Sequence, residues 1–257
     1  MSRVIAVTNQ KGGVGKTTTN VNLAACLAQA GKRVLVVDLD PQGNTTSGFG
    51  IDKYRLQQTI YNLLIGESIL EEVIIPVCVE GVRLLPANID LSGAEIELIA
   101  LEEREFRLRS IFEQSRYMFD YILIDCPPSL NLLTVNALCA ADSVLIPIQC
   151  EYYALEGLTQ LMNTIKRIQQ KLNPGLSIEG VLFTMYDSRT NLSSQVVEEV
   201  NKHLGAYSYK TIIPRNVRLS EAPSYGLPIT LYSSDSKGAE AYRMLALELM
   251  AKNKERR

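Results

Sequence analysis

Short apolar, β-branched runs alternate along the chain with longer segments in which apolar residues recur at helical spacing. The short runs predict strands at residues 4–8, 33–38, 82–86, 121–125, 143–148, 178–183 and 210–213. The longer segments predict helices, among them residues 17–30, 98–117, 155–172 and 193–204. Several of the strands are almost wholly apolar, which is typical of strands that helices cover on both faces. This order predicts an α/β fold with a mostly parallel, doubly wound sheet and helices on both faces.

The length and composition favour one domain. The chain has 257 residues, of which 46% are hydrophobic and 21% are charged, so it can bury a large core. We see no internal repeat, low-complexity tract or Gly/Ser linker that would divide it. We therefore expect a single domain over residues 1–257, with residues 252–257 as a frayed tail.

The cysteines and the N-terminal residues indicate a reduced, cytoplasmic environment. Five cysteines without a C-x-x-C pair argue against both a disulfide framework and a zinc site. The first residues have no basic region or cleavage site of a leader, and no apolar run approaches the ~20 residues of a membrane span. We therefore expect an unprocessed, soluble protein without a membrane partner.

The charge is small but unevenly placed. The formal net charge is −2 and the pI is about 5.6, which argues against a protein that binds polyanions over its whole surface. From Lys210 to the end there are nine Lys or Arg and five Asp or Glu, a balance of +4, which leaves −6 for the first 209 residues. Any nucleic-acid site must therefore be a local patch.

A glycine-rich loop with the sequence NQKGGVGKTTTN, at residues 9–20, joins the first predicted strand to the first predicted helix. Glycines let backbone N–H groups turn towards phosphate oxygens, and the helix that follows adds its positive end. Lys16 would supply a charge to the phosphates, and the Thr17 hydroxyl would be a ligand for Mg²⁺. The strand before the loop and the helix after it favour a phosphate-binding loop over an ordinary glycine-rich turn.

The loop departs from the usual pattern G-x-x-x-x-G-K-[ST] in two ways. Gln10 stands where that pattern has a glycine, and a second lysine, Lys11, lies five residues before Lys16. Lys11 is either a solvated loop lysine or a second cation for phosphate.

Two predicted strands end in carboxylates at the carboxyl edge of the sheet. The second strand leads into VVDLDPQGN, where Asp38 and Asp40 stand and where a carboxylate could orient an attacking water. The fourth leads into YILIDCPPS, an apolar run closed by Asp125, which is the Walker B arrangement for holding Mg²⁺ through water. An aspartate at a strand end can also cap the next helix, but the phosphate-binding loop favours the metal role for Asp125.

Together, the motifs K-G-G-V-G-K-T-T, D-x-D-P-Q-G-N and I-D-C-P-P-S resemble those of the deviant Walker A ATPases, which have the P-loop NTPase fold. The later stretches QCEYYALEG and IPRNVRLSEAPSYG resemble the chromosome-partitioning ParA/Soj branch of these ATPases. The resemblance extends from about residue 4 to residue 249. The loop by itself also occurs in MinD, nitrogenase iron proteins and other relatives, whereas the motifs are specific as a set.

This resemblance implies an ATPase that uses ATP and Mg²⁺, turns over slowly and forms a homodimer when ATP is bound. Lys11 would reach across the face-to-face dimer to the nucleotide of the other subunit, which couples ATP occupancy to dimerisation. Asp40 would position the lytic water, and Thr17 and Asp125 would hold Mg²⁺. The residues implied for the nucleotide are Lys11, Gly12, Gly13, Val14, Gly15, Lys16, Thr17, Thr18, Pro214 and Asn216. Pro214 and Asn216 would hold the adenine, and an ordinary turn is their alternative interpretation.

The resemblance also implies non-specific binding of double-stranded DNA through Arg189 and Arg218, to which the neighbouring Arg215 is added as a candidate. Isolated arginines are usually solvated, and so few contacts bind weakly, but a dimer doubles them. The family further implies a ParB-type centromere-binding partner that stimulates hydrolysis, and a nucleoid-associated location in the cytoplasm. Some relatives also influence replication initiation through the initiator DnaA, so the resemblance implies a candidate partner of that kind.

Three other interpretations share parts of the pattern. A MinD-like membrane-associated positioning ATPase should end in a basic amphipathic helix, whereas residues 252–257 contain no apolar residue. An iron–sulfur reductase subunit needs paired thiolates across the dimer axis, and Cys126 and Cys139 are more typical of core residues. A non-enzymatic nucleotide-binding adaptor would not need the complete set of lysine, threonine and aspartates.

Overall fold

The computed structural model describes residues 2–151 and 154–255, which build a seven-stranded sheet. The strands are β1 (Arg3–Val7), β2 (Val34–Asp38), β3 (Ile75–Pro76), β4 (Val82–Leu85), β5 (Tyr121–Asp125), β6 (Ser143–Gln149) and β7 (Ser177–Thr184). Their order across the sheet is β3-β4-β2-β5-β1-β6-β7. The pairings between these strands are parallel except that of β3 with β4.

Helices lie on both faces of this sheet. They are α1 (Lys16–Gln29), α2 (Asn44–Gly48), α3 (Ile60–Ile65), α4 (Leu70–Val73), α5 (Leu91–Glu97), α6 (Arg107–Ser115), α7 (Leu132–Ala140), α8 (Ala154–Lys171), α9 (Asn191–Leu204), α10 (Val217–Glu221), α11 (Ile229–Tyr232) and α12 (Lys237–Glu255). Short 3₁₀ turns lie at Lys53–Arg55, Leu98–Ala100, Gly205–Tyr207 and Ala222–Tyr225. The predicted α/β, doubly wound fold is confirmed.

The alternation of side chains along the strands fills two cores. In β1, Val4 and Ala6 belong to the core on one face, and Ile5 and Val7 belong to the core on the other. Successive side chains of a strand point to opposite faces, so a strand that is apolar throughout must be covered twice. One core includes buried residues of α7 and α8, and the other includes those of α1 and α12.

The carboxyl ends of the central strands meet at one edge of the sheet. Val7 of β1 is in register with Asp125 of β5, and Asp38 of β2 is in register with Asp125 on its other side. The strands that follow β1 in the chain, from β2 to β4, lie on one side of it, and β6 and β7, which follow β5, lie on the other side. Open parallel sheets bind ligands outside the carboxyl ends of their strands, where the strand order reverses. The fold therefore places both aspartates at the edge where a ligand is expected.

The last predicted strand is wrong. The Glu248 carboxylate of α12 accepts hydrogen bonds from the backbone N–H groups of Lys210 and Thr211, at 2.8 and 3.0 Å. Nearby, the Ile213 N–H still donates to the Phe183 carbonyl of β7, at 2.9 Å. A side chain has thus taken N–H groups that a strand would need for its ladder.

The second predicted helix is interrupted. It divides into the 3₁₀ turn at Leu98–Ala100 and α6, and Glu103 between them has a left-handed φ of 50°. Asn136 of α7 stabilises the break, because its amide donates to the Arg104 carbonyl and its oxygen accepts from the Leu108 N–H. The two-residue strand β3 is too short to leave a sequence pattern.

The predicted frayed tail is helical as far as the structure describes it. α12 continues through Lys252 to Glu255, and residues 256 and 257 lie outside the described residues. The Lys252 Nζ lies 3.8 Å from the centroid of the Tyr209 ring, a cation–π contact that joins this helix end to the domain. Among the described helices, none is both long and apolar enough to cross a membrane.

Two glycines bring the turn after α2 against the turn that follows α10. Gly50 and Gly226 have left-handed φ angles of 79° and 64°. A Cβ added to Gly226 would lie 2.4 Å from the Cα of Gly50. A side chain at this position therefore requires the two backbones to separate.

Gly226→Ala is expected to lower the free energy of unfolding more than Gly31→Ala, which serves as its matched control. Gly31 has a φ of 77°, but a Cβ there would meet no described atom within 4 Å. Alanine at position 31 therefore costs about 1–2 kcal/mol for the left-handed conformation alone. Alanine at position 226 adds the overlap with Gly50. Chemical denaturation of both variants measures the difference, and equal losses would contradict a tight contact between the two turns.

Candidate functional site

The glycine-rich loop leaves the end of β1 and turns directly into α1. Gly13 and Gly15 have left-handed φ angles of 74° and 86°, which glycine adopts without strain. Gly15 is the N-cap of α1 and has no side chain to bond the first-turn N–H groups, so these groups remain available to an anion. Val14 is buried, and its carbonyl accepts from the Thr184 hydroxyl at the end of β7, at 2.9 Å. The loop thus has the shape that phosphate binding requires, and β7 supports it.

Gly12 and Thr18, which are also predicted to contact the nucleotide, lie on either side of this turn. Gly12 is exposed and its φ is not left-handed, so the backbone conformation does not itself require glycine there. Thr18 is half-buried in the first turn of α1, and its carbonyl accepts from the Asn22 side-chain amide at 2.7 Å. Their contacts with a nucleotide stay predictions.

The two lysines of the loop have different environments. Lys16 is 7% exposed, and its Nζ donates to the carbonyl oxygen of Lys11 at 3.1 Å. Burial lowers the pKa of Lys16, whereas the negative charges of Asp125 and Asp40 act to raise it. The Lys11 Nζ instead lies 3.1 Å from Glu151 Oε2, and the Lys11 side chain is 36% exposed. Lys16 therefore faces the aspartates, whereas Lys11 forms an ion pair at the surface.

Asp125 is the centre of the hydrogen-bond network. Its Oδ2 accepts from the Thr17 and Thr45 hydroxyls, each at 2.7 Å, and its Oδ1 accepts from the Asn20 side-chain amide at 3.1 Å. The residue is 1% exposed. Thr17 and Asp125, the two residues predicted to hold Mg²⁺, are therefore in direct contact, and both offer the oxygen ligands that this ion prefers.

A Mg²⁺ ion at this position would depend on the nucleotide for most of its ligands. Within residues 2–151 and 154–255, no group of three or more His, Cys, Asp or Glu side chains is arranged to hold a metal ion. Mg²⁺ is usually bound through one or two protein oxygens, substrate phosphates and water. The Thr17 and Asp125 oxygens fit that mode of binding.

A second buried carboxylate, Asp38, lies beside Asp125. It is fully buried, and its Oδ2 accepts from both the backbone N–H and the hydroxyl of Thr46, at 2.7 Å. The Thr46 hydroxyl in turn accepts from the Ala87 N–H at 3.0 Å. Burial, together with the neighbouring charge of Asp125, raises the pKa of Asp38. Two carboxylates in one buried region favour either proton uptake or a nearby cation.

Asp40, predicted to position the lytic water, lies two residues beyond the end of β2 and is half-buried. Its Oδ1 accepts from the Gln42 N–H at 2.9 Å, which fixes the start of the loop. The preceding residue, Leu39, donates its backbone N–H to the Asp125 carbonyl at 3.0 Å. The charge of Asp40 influences the pKa of both Lys16 and Asp125. The fold thus brings the predicted water-positioning carboxylate beside the predicted phosphate and metal residues.

The predicted adenine residues lie beyond β7. Pro214 forms an isolated parallel bridge with Tyr186, two residues after Thr184. Asn216 caps α10, because its Oδ1 accepts from the Arg218 N–H at 2.9 Å. This cap uses the amide oxygen of Asn216 and not its nitrogen, so the adenine role of both residues stays a prediction.

The arginines predicted for DNA are exposed, but two of them already have acidic partners. Arg189, with a side chain that is 85% exposed, bonds to the Asp187 carboxylate at 2.7 and 2.9 Å. Hydrogen bonds from Arg189 hold the pKa of Asp187 well below its usual range, and the charge of Arg215 adds to this. Arg218 contacts Glu221 Oε2 at 2.9 Å. This surface therefore carries both signs of charge and is less positive than the arginines alone predict.

Comparisons with known proteins agree with this architecture. The family model described as an AAA domain matches residues 2–178. The sporulation initiation inhibitor protein Soj of Bacillus subtilis is 59% identical over 98% of this chain and 99% of its own length. The chromosome partitioning protein ParA of Myxococcus xanthus is 54% identical over 98% of this chain and 89% of its own length. This chain belongs to the ParA/Soj family of partitioning ATPases.

A solved structure shows the same fold in a relative of the ParA/Soj family. It is the cobyrinic acid a,c-diamide synthase from Mycobacterium smegmatis with bound ADP and magnesium. Its TM-score is 0.87 at 41% identity, over 100% of this chain and 97% of that chain. The resemblance that the loop and strand-end motifs indicate is thereby confirmed.

Sequence reasoning missed two side chains that contact Asp125, those of Asn20 and Thr45, and it did not foresee the burial of Asp38. Asn20 lies four residues after Lys16 on α1, so both project from the same side of the helix. This spacing could have predicted from the sequence that Asn20 lies at the site. Thr45 carries no comparable signal, since its contact with Asp125 depends on how β2 and β5 pair. Asp38 is visible in the motif, but its burial is a property of the folded sheet.

Asp38→Asn is expected to change the pH dependence of stability in the absence of nucleotide. Burial raises the pKa of Asp38 to about 8, so the folded state keeps a proton that the unfolded chain releases near its ordinary pKa of about 4. The stability from this group is fully present below about pH 4 and is lost as the pH rises towards 8. The wild type should therefore lose more stability than Asp38→Asn between pH 5 and about pH 8.

Denaturant titrations at several pH values measure this difference. The altered hydrogen bonding to Thr46 in Asp38→Asn shifts its whole curve, whereas the titration of Asp38 changes the slope. Parallel curves for the two proteins would contradict a raised pKa at Asp38.

Proposed function

We propose that this chain is a Mg²⁺- and ATP-dependent partitioning ATPase in which two copies enclose the nucleotides. The observation that carries the proposal is the 2.7 Å hydrogen bond from the Thr17 hydroxyl to Asp125. It joins a loop shaped for phosphate to a carboxylate at a strand end, which are the two protein contributions to a nucleotide-bound Mg²⁺. The M. smegmatis relative with ADP and magnesium supports ATP and Mg²⁺ as the cofactors.

Each side chain of the site would then have a defined part. Bound Mg²⁺ would neutralise the charge that develops on the phosphates. The buried Lys16 would donate to phosphate oxygens in place of the Lys11 carbonyl that it contacts in the free chain. Asp40, beside Lys16, would orient the attacking water. Slow basal turnover is expected, with acceleration by a ParB-type centromere-binding partner.

Lys11 would connect nucleotide binding to dimer formation. In the single chain its ammonium group pairs with the exposed Glu151, and such surface pairs contribute only about 0–1 kcal/mol. The phosphates of a nucleotide bound by a second copy carry more charge and would be shielded from water in the interface. Exchange of Glu151 for those phosphates would stabilise the dimer only when ATP is present.

Non-specific DNA binding would follow from the dimer. Arg189 and Arg218 are exposed, but each shares its charge with a nearby carboxylate, so one copy offers little net attraction. Two copies in a dimer double the contacts and hold them at a high effective concentration. The DNA-bound dimer would place the protein on the nucleoid, and an influence on replication initiation through DnaA is a further expectation of the family.

Variants of three residues test the ATP-dependent dimer. Lys16→Ala is expected to abolish it, because the buried charge for the phosphates is lost. Lys11→Ala should still bind nucleotide as a monomer but should not dimerise. Asp40→Ala should accumulate as an ATP-bound dimer, because the water is no longer oriented. Light scattering with MgATP gives the mass, and a fluorescent ATP analogue gives nucleotide binding.

Lys202→Ala is the control, since Lys202 pairs with Glu199 on the exposed face of α9. It should dimerise like the wild type. Monomers of Asp40→Ala in MgATP would contradict the role of Asp40, and an unchanged dimer of Lys11→Ala would contradict the reach of Lys11 into the other subunit.

Arg218→Glu is expected to weaken binding to random DNA duplexes without preventing dimer formation. The dimer would lose two phosphate contacts, so the slope of log K against log salt should fall by about 2 in magnitude. Glu221→Gln is the matched control, because it removes the acidic partner of Arg218 and should retain or strengthen DNA binding. Co-sedimentation with plasmid DNA, with ATP or ADP, measures the effect.

The same assay with anionic liposomes distinguishes the MinD-like alternative. ATP-dependent retention on DNA and not on liposomes is expected. Retention on liposomes alone would replace DNA partitioning by membrane association, and unchanged DNA retention of Arg218→Glu would remove Arg218 from the DNA-binding surface.

A further inference from the structure

The acceptor positions of Asp125 are nearly all used by the protein. An ionised carboxylate offers about four lone-pair positions. Oδ2 accepts from the Thr17 and Thr45 hydroxyls, and Oδ1 accepts from the Asn20 amide. About one position is left, on Oδ1, for a ligand such as a water bound to Mg²⁺. The three donor side chains therefore determine which lone-pair position of Asp125 remains available to a metal ion or its bound water.

Thr45 differs from the other two donors in its place in the fold. Thr17 and Asn20 belong to α1, whereas Thr45 lies in the first turn of α2, directly after the loop that carries Asp40. Thr45 is 0% exposed. Its hydroxyl is therefore a direct, buried link between the helix after the Asp40 loop and the carboxylate at the end of β5.

The neighbouring threonine has a separate task. The Thr46 hydroxyl donates to Asp38 and accepts from the Ala87 N–H. It fixes α2 to β2 and to the segment after β4, and neither of these two hydrogen bonds involves Asp125. The two adjacent threonines thus attach one helical turn to two different buried carboxylates. Removal of the Thr45 hydroxyl should free Asp125 while the Thr46 contacts still hold α2 in place.

We propose that Thr45 is a positioning residue that orients the Asp125 carboxylate for Mg²⁺. This inference rests on the proposed function, in which Asp125 holds Mg²⁺ and Asp40 orients water. Without the hydroxyl, Oδ2 gains an empty acceptor position and the carboxylate can rotate. A second-layer contact to a metal-binding carboxylate typically changes metal affinity by about 10–100-fold.

The test is the Mg²⁺ dependence of nucleotide binding at equilibrium, followed with a fluorescent ADP analogue so that hydrolysis plays no part. Thr45→Val, which keeps the shape but lacks the hydroxyl, should raise the half-saturating Mg²⁺ concentration about tenfold. Thr45→Ala should show the same shift. Thr45→Ser, which keeps the hydroxyl, should restore the wild-type value. Binding of the analogue in EDTA should stay at the wild-type affinity in all three, because the loop that holds the phosphates is unaltered.

Thr59→Val is the matched control for a lost buried hydroxyl. Thr59 is 2% exposed and caps α3 through a hydrogen bond from the Tyr61 N–H, at a position outside the site. Its loss should lower stability without moving the Mg²⁺ titration. An unchanged Mg²⁺ titration in Thr45→Val, or an equal shift in Thr59→Val, would overturn the role of Thr45. If the wild type itself binds nucleotide without any dependence on Mg²⁺, the proposed function fails instead.

Discussion

The site depends on the need to satisfy one buried carboxylate. Asp125 ends the strand next to β1, almost without contact to solvent. A charge in this position destabilises the fold unless its oxygens are hydrogen-bonded and a cation is near. Donors from α1 and α2 meet this requirement, and Lys16 provides the nearby positive charge. The phosphate-binding loop and the Asp40 loop are therefore held in one arrangement by the group that both of them surround.

The parallel sheet explains why two carboxylates come together here at all. Parallel strands present their carboxyl ends at one edge, so Asp38 and Asp125, which end adjacent strands, lie opposite each other in register. Like charges in a buried region raise each other's pKa and increase the affinity for a cation. In the free chain, Lys16 and a proton on one carboxylate can compensate this charge. A divalent ion that arrives with a nucleotide would compensate it more fully, which makes the binding of metal and nucleotide mutually favourable.

Much of this arrangement could be predicted because it depends on pattern and strand direction. Apolar runs marked the central strands, and residues that directly follow such runs must lie at the ligand-binding edge, as Asp40 and Asp125 do. Contacts that depend on the packed structure could not be predicted in this way. Residues 210 and 211 lie in a run that predicts a strand. The Lys210 N–H nevertheless donates to the carboxylate of Glu248, which is 38 residues away in the chain. The partners of the exposed arginines are only two or three residues away, so their effect on the charge of that surface could have been weighed from the sequence.

The different environments of the two loop lysines could not be predicted from their spacing in the sequence. Both lie in the same glycine-rich stretch, but Lys16 begins α1 and is enclosed, whereas Lys11 lies before the turn at the surface. An enclosed ammonium group close to two aspartates cannot leave without exposing unpaired buried charge. An exposed one paired with Glu151 loses little when it changes partner. In the proposed function, Lys16 would therefore hold a nucleotide within its own chain, and Lys11 would be the lysine that responds to a nucleotide brought by another copy.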